Sequence, residues 1–236
     1  MTKYAPFLIF EGIDHCGKTT QLRRTADFLA HNQIPFVTEK EPGSTALGGT
    51  LRRLLKEPIA VYNAMNATFT GHPDFTPLDV NQVRTGLSEM HLFLAARSNF
   101  LELLVRPRLE KGTTVLADRC GDSTETYQGG GTYEGNTAVI AHIRANNAFL
   151  FKKAGVPPGL TFLLDIPYEV MMQRAQGDKL DAFESRGKDY FDRVRAAYLT
   201  LAREEPGRIT LIDGTLLPDT IFTEHIEPAL RRLYKL

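Results

Sequence analysis

Gly12-Ile13-Asp14-His15-Cys16-Gly17-Lys18-Thr19 has the spacing G-x-x-x-x-G-K-[ST], and that spacing has a defined chemistry. Gly12 and Gly17 allow the tight backbone turns that bring successive N–H groups onto phosphate oxygens. A helix beginning near Lys18 adds the positive end of its dipole. Lys18 can reach the β- and γ-phosphates of a nucleoside triphosphate. The Thr19 hydroxyl can ligate Mg²⁺. With Thr20, residues 12–20 form a candidate triphosphate cradle. Context supports it: Pro6–Phe10 is a continuous apolar run, as in a strand buried on both faces. Leu22, Ala26 and Leu29 follow at helical spacing within Lys18–His31. The second glycine run, Gly129-Gly130-Gly131, gives no dinucleotide fingerprint, because Glu134 takes the place of the third glycine.

Phosphate binding alone does not separate kinases from switches, motors or sensors. Four blocks, the loop among them, narrow the choice. They are Glu11-Gly12-Ile13-Asp14 through Thr20; Glu41-Pro42-Gly43-Ser44-Thr45 with Gly48 and Leu51-Arg52; Leu92-Phe93-Leu94-Ala95-Ala96-Arg97; and Asp118-Arg119, then Ser123, then Tyr127-Gln128-Gly129. In this order they resemble the thymidylate kinases, across residues 7–131. Beyond about residue 160 the likeness thins to a strand, a charged lid-like stretch and a final helix.

The resemblance implies ATP and Mg²⁺, with phosphoryl transfer to a deoxynucleoside monophosphate, dTMP giving dTDP. Arg119 and Arg52 would hold the acceptor phosphate, a task suited to the planar fork of arginine. Phe93 would stack on thymine, and Arg97, four residues on and so on the same helical face, would meet the base edge. Ser123, Thr124 and Gln128 are candidates for the remaining base contacts. Tyr127 would press against the sugar 2′ position and exclude ribonucleotides. Asp14 would meet the 3′-hydroxyl or the metal shell, and Asp118 would lie near Mg²⁺ with Thr19. Lys18, Asp14 and Arg119 are the catalytic candidates.

Plainer readings stand beside these. Phe93 could be core, Arg52 and Arg53 solvated, and Asp118-Arg119 a strand-end ion pair. Asp165 reads as a cap for the helix opened by Pro167, and Gly129–Gly131 as flexible backbone. The chain also departs from the family. His15 stands where an arginine is common, and Ala182 where the lid, residues 176–188, would carry one. Arg174, Lys179 and Arg186 are nearby cations that could cover the phosphates, or else an ordinary solvated charged stretch. Lys40 stands for an arginine before Glu-Pro, Phe100 for a histidine and Cys120 for an aromatic. Two alternatives follow: a kinase for another deoxynucleotide or deoxynucleoside, including one with a modified base, or a nucleotide-binding regulatory protein without transfer activity.

The elements that must position these groups alternate. Strands are expected at Pro6–Phe10, Ile34–Thr38, Thr113–Ala117, Leu160–Leu164 and Arg208–Ile212. Helices are expected at Lys18–His31, at 46–57, from Asn81 to Glu110 with a kink at Pro107, after Pro167, and from about Asp219. Residues 58–80 fit no element and could be an insertion. Alternation implies an α/β P-loop kinase fold in three layers, one domain over residues 1–236: a parallel five-stranded sheet, helices on both faces, and a short lid.

The 236 residues carry 28 basic and 28 acidic side chains, and this balance argues against a nucleic-acid surface. Two cysteines make no disulfide framework. The first ten residues lack the features of a secretion signal, and no apolar run is long enough to cross a membrane. A cytoplasmic protein is expected, and the resemblance adds a homodimer through long helices.

Overall fold

The computed structural model describes residues 4–77, 79, 84–176 and 182–236. Five strands, β1 (Phe7–Glu11), β2 (Phe36–Lys40), β3 (Thr114–Asp118), β4 (Leu160–Asp165) and β5 (Ile209–Asp213), form one parallel sheet in the order β2-β3-β1-β4-β5. Every pairing is parallel, with Phe10 opposite Asp118 on one side and Phe162 on the other. The expected α/β architecture is present. Each strand runs at least one residue further than its apolar run, to Glu11, Lys40, Asp118, Asp165 or Asp213. A strand at the carboxyl edge of a parallel sheet can end on a charged residue, because that edge opens to the site.

The alternation along β1 sorts the core into two layers. Leu8 and Phe10 face a cluster with Leu29, Leu116, Phe162, Phe191, Val194 and Ile226. Phe7 and Ile9 face the opposite cluster, with Phe100, Leu101, Val105, Leu109 and Val115. Helices cover both faces. They are α1 (Lys18–His31), α2 (Ala46–Lys56), α3 (Pro58–Phe69), α4 (Gly86–Asn99), α5 (Arg106–Glu110), α6 (Gly121–Thr124), α7 (Thr137–Ala154), α8 (Tyr168–Arg174), α9 (Lys188–Glu204), α10 (Pro218–Thr220) and α11 (Glu227–Tyr234).

Several expectations need correction. The segment 58–80 is not wholly irregular: Pro58 opens α3, a position that suits proline. The long helix was expected from about Asn81, which lies with Val83 outside the described residues. It starts at Gly86, capped by Thr85, which exchanges hydrogen bonds with Ser88. Its pitch widens to a π-helical stretch at Phe100–Val105 before Pro107, and α5 follows. Helices α7 and α9 were not expected at all. Gly129–Gly131 is not flexible: it lies in a buried π-helical stretch (Glu125–Thr132) packed on α9. A Cβ on Gly130 would stand 2.5 Å from that of Ala197. Asp165 does not cap the helix that follows Pro167; its carboxylate pairs with Arg195 through two contacts of 2.7 Å.

Candidate active site

The loop between β1 and α1 has the geometry its residue types require. Gly12 has φ 131°, and a Cβ there would meet the Leu164 carbonyl oxygen at 2.3 Å. Gly17 has φ 102°. The Lys18 ammonium donates to the carbonyls of Ile13 at 2.8 Å and Gly12 at 3.2 Å, so it is held inside the loop. Ile13 and Cys16 turn their side chains into the core, where the Cys16 Sγ also lies 3.5 Å from the Lys18 ammonium. A cleft of about 860 Å³ opens here, lined by Asp14, His15, Gly17, Lys18, Thr19, Thr20, Lys40, Lys56, Asp118, Arg119, Arg174 and Glu184.

A second cleft of about 610 Å³ adjoins it, walled by Arg52, Leu55, Phe93, Ser123, Thr124, Tyr127, Gln128 and Phe183 among others. Asp14, Lys40, Lys56 and Arg119 line both. Of the acceptor residues expected from sequence, all but Arg97 reach this wall. Arg97 is almost fully buried behind it. Its guanidinium lies 2.9 Å from Glu41 and donates to Asn147, to the Cys120 carbonyl and to Thr124 Oγ1 at 2.9 Å. Arg97 thus stands behind the wall and supports one of its residues, Thr124. A cation can occupy this depth because Glu41 and three oxygens compensate it.

Arg119 sits at the junction. Its φ of 72° is an uncommon backbone conformation for a side chain of this size. One nitrogen donates to the Gly12 carbonyl and Ser123, the other to Asp14 and to the Tyr127 hydroxyl, both at 2.9 Å. The Tyr127 hydroxyl in turn donates to Asp14 Oδ2 at 2.9 Å. Burial alone would raise the Asp14 pKa, but Arg119, Lys18 and Tyr127 outweigh it and hold the carboxyl well below its ordinary range.

Asp118 offers a test for a divalent cation. Its Oδ2 accepts from Lys40 at 3.0 Å. Its Oδ1 is buried and, among the described residues, has no hydrogen-bond partner. Burial raises its pKa less than Lys18, Arg119 and Lys40 lower it, so the group is charged. A charged carboxylate oxygen without a donor, in the cleft that holds the Thr19 hydroxyl, fits a hard cation that takes oxygen ligands.

The lid cations part company. Arg174 reaches the loop, donating to the carbonyls of His15 and Gly214. Lys179 lies outside the described residues. Arg186 does not face the cradle: Glu89 at 2.7 Å, Thr132 and Tyr190 hold it on the acceptor side. His15 contacts Glu184 at 3.3 Å.

Sequence reasoning missed several participants. Lys56 stands four residues after Arg52 on α2, a spacing that could have found it. Phe183 packs on Phe93 with ring centroids 5.9 Å apart and carried no signal. Glu11 was seen only as part of a motif. It accepts from the Cys120 and Ser123 amides and from the hydroxyls of Ser123 and Tyr198, and so fixes the segment that carries Arg119.

Comparison with known proteins agrees with this geometry. The family model for thymidylate kinase matches residues 10–224. A thymidylate kinase of Desulforudis audaxviator is 37% identical over 210 residues, 88% of this chain and 82% of that protein. One from Fervidobacterium nodosum is 32% identical over 221 residues, 94% and 96% of the two chains. The crystal structure of thymidylate kinase from Ehrlichia chaffeensis superposes with a TM-score of 0.65 at 25% identity, covering 96% of this chain and 99% of that one. With the phosphate loop, the adjoining second cleft and these relatives in agreement, the chain belongs to the thymidylate kinase family of nucleoside monophosphate kinases.

Proposed function

We propose that this chain transfers the γ-phosphoryl group of ATP to dTMP, giving dTDP. The observation that carries the reading is the shared wall: Asp14, Lys40, Lys56 and Arg119 line both the triphosphate cleft and the aromatic one. Phosphoryl transfer between two anions needs them in line, with their repulsion neutralised, and needs no covalent intermediate.

Residues 12–20 cradle the triphosphate, and Lys18 supplies charge to its terminal phosphates. Arg119 and Arg52 grip the acceptor phosphate. Phe93 stacks on the base, Ser123, Thr124 and Gln128 face its edge, and Tyr127 guards the 2′ position. Arg174 covers the phosphates, in place of the arginine that His15 and Ala182 do not supply. Thr19 and Asp118 hold Mg²⁺, which when bound neutralises phosphate charge. Asp14, kept ionised by Arg119, orients that guanidinium and meets the sugar or the metal shell. We read the protein as a cytoplasmic homodimer of one-domain chains that binds neither nucleic acid nor membrane.

The test is ADP formation with Mg-ATP and a panel of dTMP, dUMP, dCMP and thymidine. The expected result is the highest kcat/KM for dTMP. Lys18→Met should lower kcat by about 100-fold or more with an unchanged far-UV spectrum. Preference for another acceptor would replace dTMP in this reading. ATP binding without ADP formation from any acceptor would favour a regulatory protein.

A further inference from the structure

Behind the wall of the second cleft lies a buried carboxylate that touches the wall through Gln128. Glu89 on α4 is almost completely buried. Its Oε2 accepts from Arg186 at 2.7 Å and Arg84 at 3.1 Å, and its Oε1 accepts from Gln128 Nε2 at 2.9 Å. A carboxylate set between two guanidinium groups accepts on both oxygens and has nothing to donate to the amide. The Gln128 amide therefore cannot be reversed: its N–H₂ must face Glu89. Its carbonyl oxygen is the end left over, on a residue that lines the cleft. No other described residue hydrogen-bonds that amide. Beside it, Thr124 Oγ1 already accepts from the buried Arg97, which leaves its O–H to donate.

We propose that Glu89 is a positioning residue that sets the hydrogen-bonding polarity of the acceptor pocket. It turns Gln128 to present an acceptor beside the Thr124 donor. The pocket then selects a pyrimidine edge with a carbonyl next to an N–H, as in thymine and uracil, over the cytosine edge, where both groups are reversed. A site built to pair such groups rejects the inverted edge strongly, because its buried partners are left unpaired. The proposal rests on the dTMP kinase reading and adds to it the residue that chooses the base edge.

The experiment measures kcat/KM for dTMP and for dCMP. Glu89→Gln keeps the shape but can donate as well as accept, which frees the Gln128 amide to reverse. The dTMP:dCMP ratio should fall at least tenfold, whereas a purely structural role would lower both substrates together and leave the ratio unmoved. Should Glu89→Gln fail to fold, Gln128→Leu carries the test, since it leaves Glu89 and both arginines in place; the same fall is expected. A ratio within twofold of wild type in whichever variant folds overturns the proposal. If the wild-type protein does not use dTMP, the functional reading itself fails, an outcome distinct from the other two.

Discussion

Tyr127 shows how one side chain separates two tasks. Its hydroxyl bridges Asp14 and Arg119, and its ring walls the second cleft. Tyr127→Phe removes the bridge and keeps the wall. A hydrogen bond to a charged group contributes on the order of 1.5 kcal/mol, so kcat/KM for dTMP should fall about tenfold with sugar discrimination retained. Tyr127→Ala removes both and should admit the ribonucleotide counterpart. If Tyr127→Ala still rejects ribonucleotides, another residue guards the 2′ position. Glu11 makes a different kind of prediction. Burial, helped by the charge of Asp122, pushes its pKa from 4.5 to about 6, against the pull of Arg119, Ser123 and Tyr198. Between those two pH values the folded chain holds more protons than the unfolded one. The contribution of Glu11 to stability is therefore full below the lower value and is lost as pH rises through about 6, worth about 2 kcal/mol. Glu11→Gln abolishes that dependence. Urea midpoints at acid and neutral pH should show wild type losing ground to the variant as pH rises. A constant gap between them would mean that Glu11 does not titrate in that window.

At the scale of elements, the sequence announced its strands and hid several of its helices, α3, α7 and α9 among them. Apolar runs located every strand to within two residues, since a strand buried on both faces leaves an unbroken signal. The carboxyl ends were missed because Glu11, Lys40 and Asp118 serve the site while still belonging to the sheet. Helix α7 left no stripe to read: of its eighteen residues only Ile143 and Ala154 are fully buried. In α9 the stripe exists, at Tyr190, Phe191, Val194, Tyr198, Leu201 and Ala202, but it follows directly on the charged lid sequence and was absorbed into it. The phosphate loop and the residues of the second cleft were legible because their motifs are local. Glu89 and Phe183 were not, since what they do depends on contacts between distant segments. The glycine run takes its meaning from the same packing. Gly130 lets the stretch Glu125–Thr132 lie against α9, with no room for a methyl group beside Ala197. Gly130→Ala should destabilise the fold by about 1–3 kcal/mol through overpacking. Ala197→Gly, made in the same chain, should relieve the clash. A double-mutant cycle with a coupling below about 0.3 kcal/mol would show that the two sites do not touch.

For the molecule as a whole, zero net charge conceals a local excess of cations over Asp14, Asp118 and Glu184 at the site. The 28 acidic residues cancel the 28 basic ones in total. Yet Lys18, Lys40, Lys56, Arg119 and Arg174 converge on one cleft, with Arg52 lining its neighbour. Parallel strand order makes this possible: β1 lies between β3 and β4, so the loop after β1 and the residues after β3 meet at the same edge. If the two clefts form one trough, a single molecule should fill it. A compound joining adenosine to thymidine through five phosphates spans both base sites and places its charge along the shared wall. It should bind more tightly than either nucleotide, because the second half binds at the high effective concentration set by the first. At about one hundred times its Kd such a ligand stabilises the fold by about 2.7 kcal/mol. For a chain of this length that corresponds to a rise in Tm of roughly 5–10 °C. Thermal melts with the compound, with ATP alone and with dTMP alone, each at the same concentration, decide the matter. A shift no larger than that of the better single nucleotide would mean that the clefts do not communicate, and direct transfer between them would then have no structural basis.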